Sequence, residues 1–161
     1  MFAGRSSTQQ FNGVAYLVFY SIAVPGGGPS VTSFVRVVVS STLKAAKNLN
    51  PVIASIDMND SSVGPIISLP VGATNFRESS PSDSAEGYFV MQKDGSVASQ
   101  NEQLITTWFI SSGSFDSFRT VGSDENSWTP PTTLPVGHGV VMLAVTRDGR
   151  GGAAFQKVEF N

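Results

Sequence analysis

Residues 140–160 read VVMLAVTRDGRGGAAFQKVEF, and this stretch decides the expected fold. An eight-residue segment rich in valine is followed by five turn-type residues, 148–152, and then by a second alternating segment. Valine and other β-branched residues favour strands, whereas Asp and Gly favour tight turns. The stretch therefore predicts two antiparallel strands joined in a hairpin.

The composition of the 161-residue chain agrees with an all-β protein. Valine outnumbers leucine 19 to 7, and there are 11 Phe. Charged residues make up 14% and the net charge is −2, which argues against nucleic acid as a partner. Without cysteine no disulfide, thiolate catalyst or cysteine metal site can form, and one histidine cannot build a histidine cluster. We therefore expect a β-domain that is not an enzyme and holds no metal or other cofactor.

From residue 51 onward, short apolar or alternating segments follow one another with turn signals between them. This spacing is typical of a sandwich or a small barrel. No stretch is long enough for the helix of a parallel βαβ crossover. The predicted strands are 52–58, 66–69, 73–78, 88–92, 104–110, 126–129, 140–147 and 153–160.

An apolar hairpin is predicted over residues 13–41. Two runs, 14–24 and 31–41, flank the breaker PGGGPS at residues 25–30. Both faces are apolar, so the hairpin needs cover from a strand of this or another chain. The longer run has eleven residues, too few for a spanning helix, and membrane insertion is not expected.

The helix-like segment 42–49 ends at Asn50-Pro51 and is interpreted as a linker. We accordingly expect two regions. Residues 1–50 hold a polar tail, the hairpin and the linker, and residues 51–161 form the sandwich.

Several motifs in residues 51–161 resemble the immunoglobulin-like, PKD-like modules of bacterial secreted and surface proteins. In chain order they are PVI with Ser55 at 51–55, VGAT at 71–74, TWF with SGSF at 107–115, NSWTP at 126–130 and VTRDGRGG at 145–152. The resemblance implies an immunoglobulin-like antiparallel β-sandwich located outside the cell, on its surface or in the periplasm. The hairpin resembles the last two strands of a preceding, similar module.

Charged residues of two predicted loops are expected at one pole, since the B–C and F–G loops of such a sandwich meet at one end. Calcium needs six to eight oxygen ligands. The modules that this stretch resembles usually carry an aspartate–glycine cluster before the tryptophan strand, and this sequence has fewer carboxylates there, so it supports a calcium site only weakly. Asp is also used by tight turns for conformational reasons, which is the interpretation we prefer. The candidate binding residues are Asp94, Glu102, Arg147, Asp148 and Arg150, with Asp83 and Glu86 in the same loops.

Three aromatic residues receive separate interpretations. Trp108 is expected in the core, as the tryptophan of the third strand of the sandwich. Trp128 is either half-buried under a connecting loop or an exposed ligand platform, and Tyr88 is a second candidate platform. His138 is interpreted as a solvated turn residue.

The resulting hypothesis is a surface or secreted structural or binding module. It would contact a protein partner through strand pairing or through its loops, or self-associate through the 13–41 hairpin. One alternative is a carbohydrate-binding or adhesion module with a glycan ligand. Another is a subunit of a virion or a cell-surface appendage.

Overall fold

The computed structural model describes residues 3–23, 25–40, 48–133 and 139–161. The chain divides into two compact units, and each is described by itself. The first unit joins Met1–Asn48 to Gly87–Asn101, and the second joins Leu49–Glu86 to Glu102–Asn161.

Strands dominate the described part of the chain, which contains one short helix. The elements are α1 (Ser7–Asn12), β1 (Val14–Ile22), β2 (Val31–Val39), β3 (Ser55–Met58), β4 (Ser61–Ser62), β5 (Ile66–Ile67), β6 (Thr74–Ser79), β7 (Gly87–Met91), β8 (Val97–Asn101), β9 (Ile105–Ile110), β10 (Ser114–Phe115), β11 (Arg119–Val121), β12 (Asn126–Thr129), β13 (Val140–Arg147) and β14 (Ala153–Phe160). Among these residues no helix is long and apolar enough to cross a lipid bilayer.

The first unit consists of two antiparallel hairpins and the helix. Strands β1 and β2 pair over nine residues each, and β7 pairs with β8 over five. The helix begins at a capping box, in which Ser6 and Gln9 satisfy each other's backbone N–H groups. At its end, the Asn12 side chain bonds the N–H and C=O of Met91, at 2.7 and 2.9 Å. Asn12 therefore ties the start of β1 to β7.

The second unit is a sandwich of two five-stranded sheets. Their strand orders are β10-β12-β6-β3-β4 and β11-β9-β13-β14-β5. All pairings are antiparallel except that of β14 with β5. The orders contain A-B-E-D as β3-β6-β12-β10 and C-F-G as β9-β13-β14. The expected all-β, immunoglobulin-like sandwich is therefore confirmed.

The core of the sandwich is built by alternate residues of the inner strands. Along β13, inward residues alternate with more exposed ones, as a strand of period two requires. Trp108 on β9 lies in this core, where the sequence placed it, and its indole N–H donates to the Thr120 hydroxyl at 2.9 Å. The buried core residues are Ile56, Phe76, Trp108, Trp128, Val140, Met142, Ala144, Val158 and Phe160.

The division of the chain differs from the expected one in the segment Gly87–Asn101. The two predicted regions meet at residues 50 and 51, and the observed units meet at residues 48 and 49. Residues 87–101, however, belong to the first unit although they lie within the sandwich's stretch of sequence. The predicted strand 88–92 corresponds to β7, but its partner β8 is polar and has no apolar alternation, so the second hairpin was not predicted.

Candidate functional site

The hairpin of β1 and β2 presents one face made almost entirely of apolar residues. The register pairs Tyr16 with Val37, Val18 with Val35 and Tyr20 with Ser33. Most of these side chains are exposed, so the face is not covered by the described part of the chain. We call it the Val/Tyr face; it comprises Val14, Tyr16, Val18, Tyr20, Ile22, Val31, Ser33, Val35, Val37 and Val39.

The opposite face of the hairpin is centred on two phenylalanines. Phe19 and Phe34 are cross-strand partners with ring centroids 5.7 Å apart, and they remain 66% and 58% exposed. Arg36, opposite Leu17, is the single charged residue of either strand. We call this the Phe face; its members are Ala15, Leu17, Phe19, Ser21, Thr32, Phe34, Arg36 and Val38.

The outer edges of the hairpin pair with no other strand that the structure describes. In the part of the chain that the structure describes, β1 and β2 pair only with each other. Pairing of the hairpin with a strand of this or another chain therefore stays a prediction, and no described strand of this chain provides it. Their continuous nine-residue register has no bulge, and neither strand contains proline. Bulges and prolines are devices by which proteins usually block edge-to-edge pairing, and these two strands lack both.

The sandwich brings Glu102 and Arg150 together, two of the predicted pole residues. Arg150 Nη1 lies 2.8 Å from Glu102 Oε1, and the Glu102 side chain has no exposed surface. Glu102 Oε2 also accepts the Glu86 N–H at 3.0 Å, and Glu86 Oε2 accepts the Leu49 N–H at 2.9 Å. The cluster therefore fastens four separate segments of the sandwich to one another.

Asp148 serves the conformation of its own turn. Its Oδ1 accepts the backbone N–H groups of Arg150, Gly151 and Gly152 at 2.7 to 3.0 Å. A Cβ at Gly152 would come within 2.1 Å of the Asp148 carboxylate, so the turn needs glycine there. Among the described residues, no three His, Asp or Glu side chains are grouped to hold a metal ion.

The other two predicted pole residues lie away from this cluster. Arg147 is exposed, and its guanidinium lies 3.4 Å from the Thr107 hydroxyl. Asp94 belongs to the first unit, in the turn between β7 and β8. Hydrogen bonds from the Ser96 hydroxyl and then the Ser96 N–H hold the pKa of Asp94 below its usual range.

Trp128 is not an exposed ligand platform, and that prediction is wrong. Its side chain has no exposed surface, because Phe160 packs 4.8 Å and Phe76 6.0 Å from it between ring centroids. The strand β12 is short but paired on both sides, by β10 and β6, and Trp128 is one of its inward-facing residues. Tyr88 is half-buried, and its hydroxyl donates to Gln100 at 3.0 Å across the β7–β8 hairpin. His138 lies outside the described residues.

Sequence reasoning missed a buried carboxylate at Glu78. It faces inward on β6, where its neighbours Thr74 and Phe76 are also buried at alternate positions. Burial raises the pKa of Glu78, against hydrogen bonds from the Ser80 and Thr106 hydroxyls that lower it. Glu78 lines a shallow cavity of about 330 Å³ together with Ser80, Glu102, Leu104 and Val121. The alternation TNFRES was the signal available for it.

Comparisons with protein-family models, curated proteins and solved structures find no match for this chain. The coarse part of the expected resemblance, a β-sandwich, is what the structure has. The apolar hairpin is then the main candidate functional surface.

Proposed function

We propose that this protein is a non-catalytic structural module that associates with a protein partner through its apolar hairpin. The observation that carries the proposal is the exposure of both hairpin faces. Exposed apolar patches of this kind mark interaction surfaces in soluble proteins, and a lone two-stranded hairpin is marginal in water. The partner is expected to present an uncharged strand edge or a flat apolar sheet face.

The dimensions of the hairpin set the scale of the contact. Nine residues per strand give a length of about 30 Å, and two strands give a width of about 10 Å. One face therefore has a footprint of about 300 Å², well below the roughly 800 Å² that each partner usually contributes to a stable interface. A stable association should accordingly use an edge of the hairpin as well as a face.

The same observation favours a subunit of a larger assembly over an adhesion module. A subunit needs a surface that only other protein chains cover, and the hairpin offers one. The adhesion hypothesis loses Trp128 as a platform, because that residue is buried. A location outside the cell stays a prediction from the resemblance.

Site-specific photo-cross-linking in the cells that produce the protein tests this proposal. A photoreactive phenylalanine analogue replaces Phe19 on the hairpin, and the matched control replaces Phe155, which is 74% exposed on the sandwich. We expect a discrete protein adduct at position 19, mapped by mass spectrometry to a strand of the partner, and none at position 155. No adduct at position 19, or equal adducts at both positions, would count against the proposal.

A further inference from the structure

The outer edges of β1 and β2 differ in charge. β1 contains no charged residue, whereas β2 carries Arg36 one position from its centre at Val35. If β2 paired antiparallel with β2 of a second copy about Val35, the two Arg36 side chains would be diagonal neighbours on one face. Like charges placed so close across strands oppose pairing. The β1 edge has no such obstacle, and it has no proline or bulge either.

We infer that two copies of this chain associate by antiparallel pairing of β1 with β1 about a twofold axis at Val18. The inference rests on the proposed function and names its partner as a second copy. Full overlap of the two nine-residue strands fixes this register. It places Tyr16 opposite Tyr20 of the second copy and Leu17 opposite Phe19 of the second copy. All of these cross-strand pairs are apolar or aromatic except Ala15 with the uncharged Ser21, and none places two charges together, so the edge complements itself.

Pairing through β1 also enlarges the apolar face, which in one hairpin is too small for a stable interface. The product is a four-stranded sheet ordered β2-β1-β1-β2, whose faces are each about 600 Å², twice those of one hairpin. That footprint approaches the area of a standard interface, so a second pair can stack on it. The assembly should therefore contain an even number of chains, two or four.

A lipid bilayer is a poorer cover for the hairpin. The apolar faces suit lipid, but the unpaired N–H and C=O groups of both edges would lose their hydrogen bonds there. A second β1 edge satisfies those groups along one side of each hairpin. Protein association is therefore favoured over insertion.

Cysteine cross-linking tests the inference cleanly, because the chain has no native cysteine. In the paired strands, the cysteines of two Val18→Cys copies would lie directly opposite each other. Their Cα atoms would then be close to the separation of about 5–6 Å that a disulfide needs. The matched control is Val35→Cys, on the cross-strand partner of Val18, with similar exposure of 44% against 48%. In the paired sheet the two positions 35 lie three strand spacings apart, about 14 Å, beyond disulfide reach.

We expect mild oxidation to convert most Val18→Cys protein into a disulfide-linked dimer and to form no intermolecular disulfide in Val35→Cys. For the unsubstituted chain, light scattering should give a molar mass of two or four times the 17.0 kDa of one chain. Val18→Lys should weaken association by about fivefold or more, and Val35→Lys by less. Tryptophan fluorescence checks that the sandwich stays folded in each variant, since both tryptophans lie there.

The outcomes separate the two proposals. If the chain is monomeric and Val18→Cys forms no dimer, while Phe19 cross-links to a different protein, the inference is wrong and the proposed function stands. Cross-linking of Val35→Cys as efficient as that of Val18→Cys would overturn the choice of edge. Flotation of the monomer with phosphatidylcholine–phosphatidylglycerol vesicles, without self-association, would overturn both proposals in favour of lipid binding.

Discussion

Replacing Glu102 tests whether the charged cluster of the sandwich holds the fold together or awaits a ligand. Glu102→Ala removes the charge-assisted contact with Arg150 at 2.8 Å. It also removes the acceptor of the Glu86 N–H at 3.0 Å. A hydrogen bond to a charged group contributes about 1.5–3 kcal/mol, and an unsatisfied buried N–H costs about 1–3 kcal/mol.

Two features reduce the sum of these effects. Arg150 is partly exposed, with 23% of its side chain accessible, and it keeps Glu86 at 3.9 Å. We therefore expect Glu102→Ala to lower the free energy of unfolding by about 3 kcal/mol. Glu102→Gln is the matched variant, because it keeps an acceptor for the Glu86 N–H and loses only the charge. Its cost should be about 1.5 kcal/mol.

The measurement is chemical denaturation followed by tryptophan fluorescence, which reports on the sandwich. A change within about 0.5 kcal/mol for Glu102→Ala would show that the side chain does not fasten these segments. The preference for a conformational role over a binding role at this pole would then be wrong. Equal losses for the Ala and Gln variants would show that charge, and not the Glu86 hydrogen bond, supplies the whole effect.

Two further predictions concern the sandwich. Gly113→Ala should lower the free energy of unfolding by about 2 kcal/mol or more, because φ is +82° and the new Cβ would lie 2.5 Å from the Thr129 backbone oxygen and 2.6 Å from Trp128 Nε1. Gly122→Ala is the control, with φ +54° and no atom within 4 Å, and should lower it by about 1 kcal/mol. Equal losses in chemical denaturation would refute the steric argument. Because the pKa of Glu78 is raised in the folded protein, its contribution to stability is complete below the unfolded pKa near 4.5 and is lost as pH rises through the folded pKa. Glu78→Gln should therefore flatten the decline of the free energy of unfolding as pH rises above about 4.5. A pH profile of stability that is the same in both proteins would contradict this.

The sequence predicted the strands best where alternation was strong. The segments 126–129, 140–147 and 153–160 match β12, β13 and β14 at both ends. The segment 104–110 was one residue longer than β9, and 52–58 was three residues longer than β3. The residues just after Pro51 have a composition that favours extended backbone, but β3 begins only at Ser55, where β6 lies opposite.

The elements that the sequence did not predict are short or polar. β10 and β11 have two and three residues, and their pairing with β12 and β9 depends on tertiary contacts that no local pattern encodes. The helix α1 did leave a local signal, the capping box Ser6-x-x-Gln9. The predicted helix-like linker at 42–49 lies mostly outside the described residues.

In the candidate site too, local sequence patterns were predicted well, whereas features set by tertiary packing were not. The two-faced apolar pattern of 13–41 was visible in the sequence, and its observed strands end two residues earlier than predicted. The meeting of Glu102 with Arg150, 48 residues away, followed from the sandwich topology. Trp128 could not be placed from its neighbours alone, because burial was decided by the packing of Phe76, Phe115 and Phe160 around it.

Hydrogen–deuterium exchange of the full chain at increasing protein concentration tests most directly whether the hairpin associates through β1. The predicted result is that amides of Val14–Ile22 exchange more slowly as concentration rises, while those of β2 change less and those of the sandwich core do not change. Exchange of Val14–Ile22 that is fast and independent of concentration would contradict self-association through this edge.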